Sequence, residues 1–381
     1  MANKMIDVNR HLFERLEKQI PSDTAIESKL VIGEKSIRYI GTTKGSYAQS
    51  IIKNGQVSDV VKTVDKSTIL VINFDNRTFL IITGNIDGAD EFLKGITTVV
   101  DLDNEEQDFK FNPGLGTLLF ANDNFPLDID SEKSYQLIEY VFTEEKEGIS
   151  NGNFNYTELA HYFSNYDVWE VSEKYLPLNQ NSIVAIYSGY LINYNKEINL
   201  EFSQNTKQTI KPLIEELPID LVGGKIYRAL TAMEWKHSFL ELYQCIEYLF
   251  PLPYLINLSN NIGNKSLFPK LFFNTENDLQ WRPKEDQALI KLLKQIENEF
   301  SFTQILNSLI NIIKTKPDNT DNNCIFVSKH IYNTRNSIAH FRSGITNSIK
   351  TNSEWDEIIE KLSLIIHDLY KVYSSEISLI K

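Results

Sequence analysis

The sequence predicts an α+β protein: a β-rich N-terminal domain, residues 1–220, followed by an all-α helical bundle, residues 221–381. Three observations predict it. Upstream of about residue 215, short stretches alternate apolar and polar side chains between turn residues. Downstream, apolar residues recur at three- and four-residue spacing over long segments. Between the two, Pro212, Pro218 and Gly223-Gly224 punctuate the chain, which places the boundary near 215–224. A chain of 381 residues is also longer than one typical core serves, so two domains are expected.

In chain order, an amphipathic segment over 8–20 precedes β-like stretches at 29–32, 36–40, 56–64, 68–74 and 78–83. Asp75-Asn76 between the last two suits a hairpin turn. Residues 90–96 read as a short helix and 134–143 as a strand or helix. Gly114-Leu115-Gly116 lacks the third glycine of a dinucleotide site and reads as a turn. The aromatic-rich segments 182–194 and 197–202 resume the β pattern. Helices are expected over 224–250, 283–300 and on towards 313, 323–345 and 353–380. Pro251-Leu252-Pro253 ends the first of these, because proline cannot continue a helix. In the last, Trp355, Ile358, Ile359, Leu362, Ile365, Ile366 and Leu369 make the core stripe of a bundle.

Composition narrows the function classes. Hydrophobic content of 42% with 11% aromatic residues describes a folded chain rather than a disordered one. Two cysteines, Cys245 and Cys324, build neither a disulfide framework nor a zinc site. No apolar run suits a signal peptide or a membrane span, so a cytoplasmic protein without membrane contact is expected. No phosphate-binding glycine loop is present, and no metal or cofactor is called for. Net charge is −13, with 38 basic and 51 acidic residues. Residues 225–381 hold 18 Lys and Arg against 17 Asp and Glu, leaving 20 against 34 upstream, so the acidity sits in the N-terminal part. A near-neutral C-terminal part argues against tight sequence-independent nucleic-acid binding and favours a structured RNA or a narrow local patch.

The chemistry-bearing stretch is Arg335-Asn336-Ser337-Ile338-Ala339-His340. At 3.6 residues per turn, Val327, Ile331, Ile338 and Ile345 share one core-facing stripe. Tyr332, Asn336, Ala339, His340 and Ser343 fall opposite, with Arg335 at the edge of that side. Asn336 lies one turn before His340 and can orient the imidazole. Small Ala339 and Ser343 let another surface approach, so this face is expected to be covered. Lys329, Tyr332 and Arg342 extend it as candidate substrate-binding residues. A fixed cation beside a side chain that titrates near neutral pH suits phosphodiester cleavage. Glu241 and Glu247 are weaker candidates for a supporting carboxylate, and His161, His237, His330 and His367 read as structural or surface histidines.

Arg335-Asn336-x-x-x-His340 resembles the R-x4-6-H signature of HEPN domains, including the polar residue after the Arg. The resemblance spans about Leu221 to Lys381, and the segment Phe239–Phe250 resembles the early helix of the ApeA-like branch. It implies a helical bundle and a metal-independent ribonuclease of growth arrest or phage defence. Two copies of the motif would form one composite site in a homodimer, with Arg335, Asn336 and His340 in the family's functional positions. RNA is then the expected substrate, and an inhibitor or trigger is expected at the N-terminal domain. The competing expectations are a toxin paired with an antitoxin and a non-catalytic scaffold that uses the same face.

Overall fold

A computed structural model describes residues 5–19, 39–40, 46–63, 66–84, 91–98, 109–110, 112–137, 153–154, 159–194, 198–278, 281–317, 322–339 and 350–380. The chain divides into two compact units, Met1–Pro177 and Leu178–Lys381. The α+β class holds: an antiparallel sheet lies in the first unit and the second is helical.

In the first unit α1 is Met5–Glu17, β1 Tyr39–Ile40, α2 Ser46–Asn54, β2 Gln56–Lys62, β3 Thr68–Phe74 and β4 Arg77–Thr83. They are followed by β5 Glu91–Leu93, β6 Ile96–Thr98, α3 Pro113–Phe120, α4 Ser131–Leu137, β7 Asn153–Phe154 and β8 Tyr166–Val171. The six-stranded sheet runs β2-β3-β4-β8-β6-β5, every pair antiparallel, while β1 and β7 pair in parallel. The β3–β4 hairpin matches the expected segments closely. Asp75 and Asn76 both have positive φ, 51° and 59°, as a two-residue turn matched to strand twist requires. Leu70, Ile72, Phe79 and Ile81 of this hairpin join Leu12, Leu16, Leu115 and Leu119 in one hydrophobic core.

Two local expectations are corrected in this unit. Residues 91–98 are a short hairpin rather than a helix, because Gly95 takes φ +90° between Leu93 and Ile96, which are 1% and 0% exposed. Gly114-Leu115-Gly116 lies inside α3 rather than in a turn. Asn112 caps that helix by accepting from Gly114 N at 2.8 Å, and Pro113 occupies the first turn. Gly114 is needed for packing: a Cβ there would lie 2.4 Å from Ala48 O on α2. The expected stretches at 29–32, most of 36–40, and 138–143 lie outside the described residues.

The second unit comprises α5 Gln180–Tyr194, α6 Gln204–Glu215, α7 Ile219–Leu230, α8 Trp235–Glu247, α9 Leu252–Ile262 and α10 Phe268–Asn277. It continues with α11 Glu285–Gln295, α12 Phe300–Ile313, α13 Asn323–Ala339, α14 Asn352–Val372 and α15 Ser374–Leu379. The expected helix 224–250 is two helices, and 283–313 is also two. Helix α14 sits centrally against α6, α8 and α12. Its predicted stripe is buried in full, from Trp355 at 7% exposure to Leu369 at 0%. Thr351 and Glu354 close a reciprocal capping box at its start.

The expected boundary and the expected strand 182–194 fail together. Residues 182–194 form helix α5, buried on nearly every side from Ser182 to Ile192. A helix apolar all round loses the 3.6-residue contrast that identifies it, and its Ile, Val and Tyr content imitates a strand. Segment 197–202 is likewise no strand where it is described. Pro212 lies within α6, Pro218 caps α7, and Gly223-Gly224 lie inside α7, so none marks a linker. The glycines serve close helix contact: a Cβ on Gly223 would meet Asn181 O at 2.4 Å and Ala185 Cβ at 2.6 Å. Gly223→Ala is therefore expected to lower stability by about 1–3 kcal/mol, overpacking outweighing the helix-propensity gain. A chemical-denaturation midpoint equal to or above wild type would contradict this. Among the described residues, no helix is long and apolar enough to cross a membrane.

Candidate functional site

Helix α13 buries Cys324, Val327, Ser328 and Ile331, the i, i+3, i+4, i+7 pattern of a packed face. Ser328 Oγ donates to Asp286 O at 3.2 Å, which fixes α13 against α11. Arg335 follows Ile331 by one turn and leaves the helix beside the same stripe. There it meets two carboxylates. Its Nη2 lies 3.2 Å from Glu247 Oε1 at the end of α8 and 3.6 Å from Glu285 Oε1 at the start of α11. Its Nη1 lies 3.2 Å from the Asn336 Oδ1 that accepts from it. The sequence places Arg335 at the edge of a face left for another surface; in the structure its own unit already engages the guanidinium, and the side chain is 21% exposed.

Arg335, Glu247 and Glu285 line a cavity of ≈ 320 Å³, with Lys225, Trp281 and Arg282 among its other walls. Three cations thus face two carboxylates. Lys225 is held by Gln244 and lies 4.0 Å from Glu241 Oε2. Trp281 is 39% exposed and meets Tyr254 edge-on, ring centroids 5.6 Å apart. The buried Tyr243 hydroxyl lies within electrostatic reach of Glu247, Glu285 and Arg335 and, among the described residues, has no hydrogen-bond partner. Burial, then the two carboxylates, pushes its ionisation far above the phenol range, so it remains a donor.

Burial raises the Glu247 carboxyl above the usual carboxylate range; Arg335 pulls it back, and Glu285 pushes it up again. The consequence for stability has a definite sign. Between the usual 4.5 and the raised value, the folded chain binds more protons at Glu247 than the unfolded chain does. The stabilisation from this group is therefore present on the acid side and is lost as pH rises through that window. Denaturation of wild type and Glu247→Gln across the window should give profiles that diverge as pH rises, wild type declining more. Parallel profiles would count against the assignment.

Of the residues named from sequence, Arg335 and Glu247 line the cavity, and Asn336 touches it through Arg335. Tyr332 is half-buried and does not line the cavity. Lys329 is exposed and acts on His330 instead of lining the cavity. His340 and Arg342 lie outside the described residues. His330 meets Phe326 edge-on, ring centroids 4.4 Å apart, and burial, then Lys329 and Lys350, lower its proton affinity, in keeping with a structural histidine. His367 pairs with Glu216 at 3.0 Å. Sequence reasoning misses Lys225, Trp281, Arg282 and Glu285. Glu285 is visible only as an acidic first-turn residue, favourable to any helix start. Among the described residues, no group of three or more His, Cys, Asp or Glu is placed to hold a metal ion. No protein-family model matches the chain, and neither curated proteins nor solved structures give a match.

Proposed function

We propose that the protein is a cytoplasmic, metal-independent endoribonuclease whose site pairs Arg335, Asn336 and His340 with their copies from a second subunit. The observation that carries this reading is the Arg335 guanidinium, steadied by Asn336 and lining a cavity with two further cations. RNA supplies its own nucleophile, the 2′-hydroxyl. His340 removes that proton, and the copy of His340 from a second subunit protonates the leaving 5′-oxygen. Arg335 holds the phosphate and offsets charge on its non-bridging oxygens. The products are 2′,3′-cyclic phosphate and 5′-hydroxyl ends. Because Glu247 and Glu285 already occupy Arg335, a phosphate must compete with them, which suits an enzyme held quiet until triggered, as in arrest of phage growth or a toxin–antitoxin pair. The test is incubation of purified protein with total RNA in EDTA, with and without His340→Ala. Cleavage lost only in the variant supports the reading, whereas cleavage that survives the substitution or requires Mg²⁺ refutes it.

The same ion pairs favour a second reading, a non-catalytic scaffold in which Arg335 serves packing. Ala339 is exposed, so a bulky Ala339→Trp leaves the unit's packing intact. The scaffold predicts that this change removes cellular activity while His340→Ala retains it. The nuclease predicts loss with His340→Ala.

A further inference from the structure

We propose that the Arg335 cavity binds one nucleotide with an unstacked base, guanine being the base its walls match. The inference rests on the ribonuclease reading and deepens it by naming the nucleotide beside the scissile phosphate. Its size, ≈ 320 Å³, falls at the small end of ligand pockets. Lys225, Arg282 and Arg335 offer a phosphate three cations from separate segments of the chain. Trp281 offers an exposed indole, and aromatic faces hold bases that have left a stack.

The carboxylates select the base. An ionised carboxylate only accepts hydrogen bonds. Guanine alone among the four RNA bases presents two adjacent donors, N1–H and N2–H, on its Watson–Crick edge. Adenine, cytosine and uracil each set an acceptor beside their donor. Glu285 Oε2 is buried and, among the described residues, has no hydrogen-bond partner, while the side chain as a whole is 36% exposed. Rotation of the carboxylate turns that oxygen towards the cavity. The Tyr243 hydroxyl, buried behind the lining residues, is a second polar group without a hydrogen-bond partner among the described residues. A guanine that takes Glu285 replaces one of the two carboxylate contacts of Arg335, which leaves only Glu247 for a phosphate to compete with. Base recognition and phosphate capture are thereby one exchange of partners.

The chain carries its own reporter. Of its four tryptophans, Trp281 is 39% exposed and Trp169, Trp235 and Trp355 are 0%, 9% and 7%. Full-length protein is titrated with GMP, AMP, CMP and UMP, and with 2′-O-methyl oligoribonucleotides that contain or lack guanine and resist cleavage. The expected result is saturable quenching with GMP or the guanine oligonucleotide at least about tenfold tighter than with the others. Glu285→Gln should erase the preference, and a calorimetric titration of Trp281→Ala should show weakened binding. Tighter binding of the oligonucleotide identifies RNA as the source of the nucleotide; tighter GMP identifies a free nucleotide. Equal affinity for all four bases, or no saturable change with any, overturns the inference. RNA cleavage that persists with no guanine preference sinks this inference alone, and guanine binding without cleavage sinks the nuclease reading alone.

Discussion

Arg335→Ala is expected to lower RNA cleavage by about 10²–10³-fold, the loss typical of removing one preorganised donor to a charged transition state. His340→Ala should lower it by about 10²–10⁴-fold through loss of proton transfer. The Arg335 change also leaves Glu247 without its cation, so reduced stability accompanies it. Arg335→Lys separates the two effects. It keeps the charge that offsets Glu247 but loses the planar fork that grips a phosphate. Folding close to wild type with cleavage still greatly reduced is the predicted outcome, measured as single-turnover rates beside denaturation midpoints. Full cleavage by Arg335→Lys would mean that bidentate phosphate contact is not what the residue supplies.

Phe239→Ala is expected to destabilise the second unit by about 3–5 kcal/mol, the usual range for deleting a large aromatic from a core. Its ring is fully buried on α8, with centroids 6.1 Å from Tyr243 and 5.9 Å from Trp355. Tyr370 Oη donates to Cys245 O at 3.0 Å and ties the same two helices, α8 and α14, together. The cavity left by Phe239 therefore loosens the seam between α8, which also carries Glu247, and α14. Equilibrium denaturation checks the magnitude, and a red shift of Trp355 emission in the folded variant checks the place. A loss below about 1 kcal/mol, outside the range for buried aromatics, would show that the seam closes without this ring.

Local signals carried what was legible in the sequence. The β3–β4 hairpin was readable because two apolar runs flank Asp75-Asn76, residues that tolerate positive φ. Helix α14 was readable because one face is apolar and the other polar over 21 residues. The reading failed where tertiary contact overrides local pattern. Helix α5 is wrapped by its neighbours and shows no polar face to set its period. Gly114, Gly223 and Gly224 resemble breaks in the chain, yet each sits where another element comes within 3 Å of a would-be Cβ. At the site, Arg335 and Asn336 were visible because one helix spaces them. Lys225 on α7, and Arg282 and Glu285 at the entry to α11, join them from two other segments, and no spacing rule connects stretches so far apart in the chain.

The central claim is that the 2′-hydroxyl of RNA is the nucleophile, activated at the Arg335–His340 motif without a metal. A short RNA containing one mapped cleavage site, and the same RNA with a single 2′-deoxyribose on the 5′ side of the scissile phosphate, are incubated with the protein in EDTA. The account predicts a 2′,3′-cyclic phosphate from the first and an intact second strand. Cutting of the deoxy-substituted strand at the same bond would contradict it.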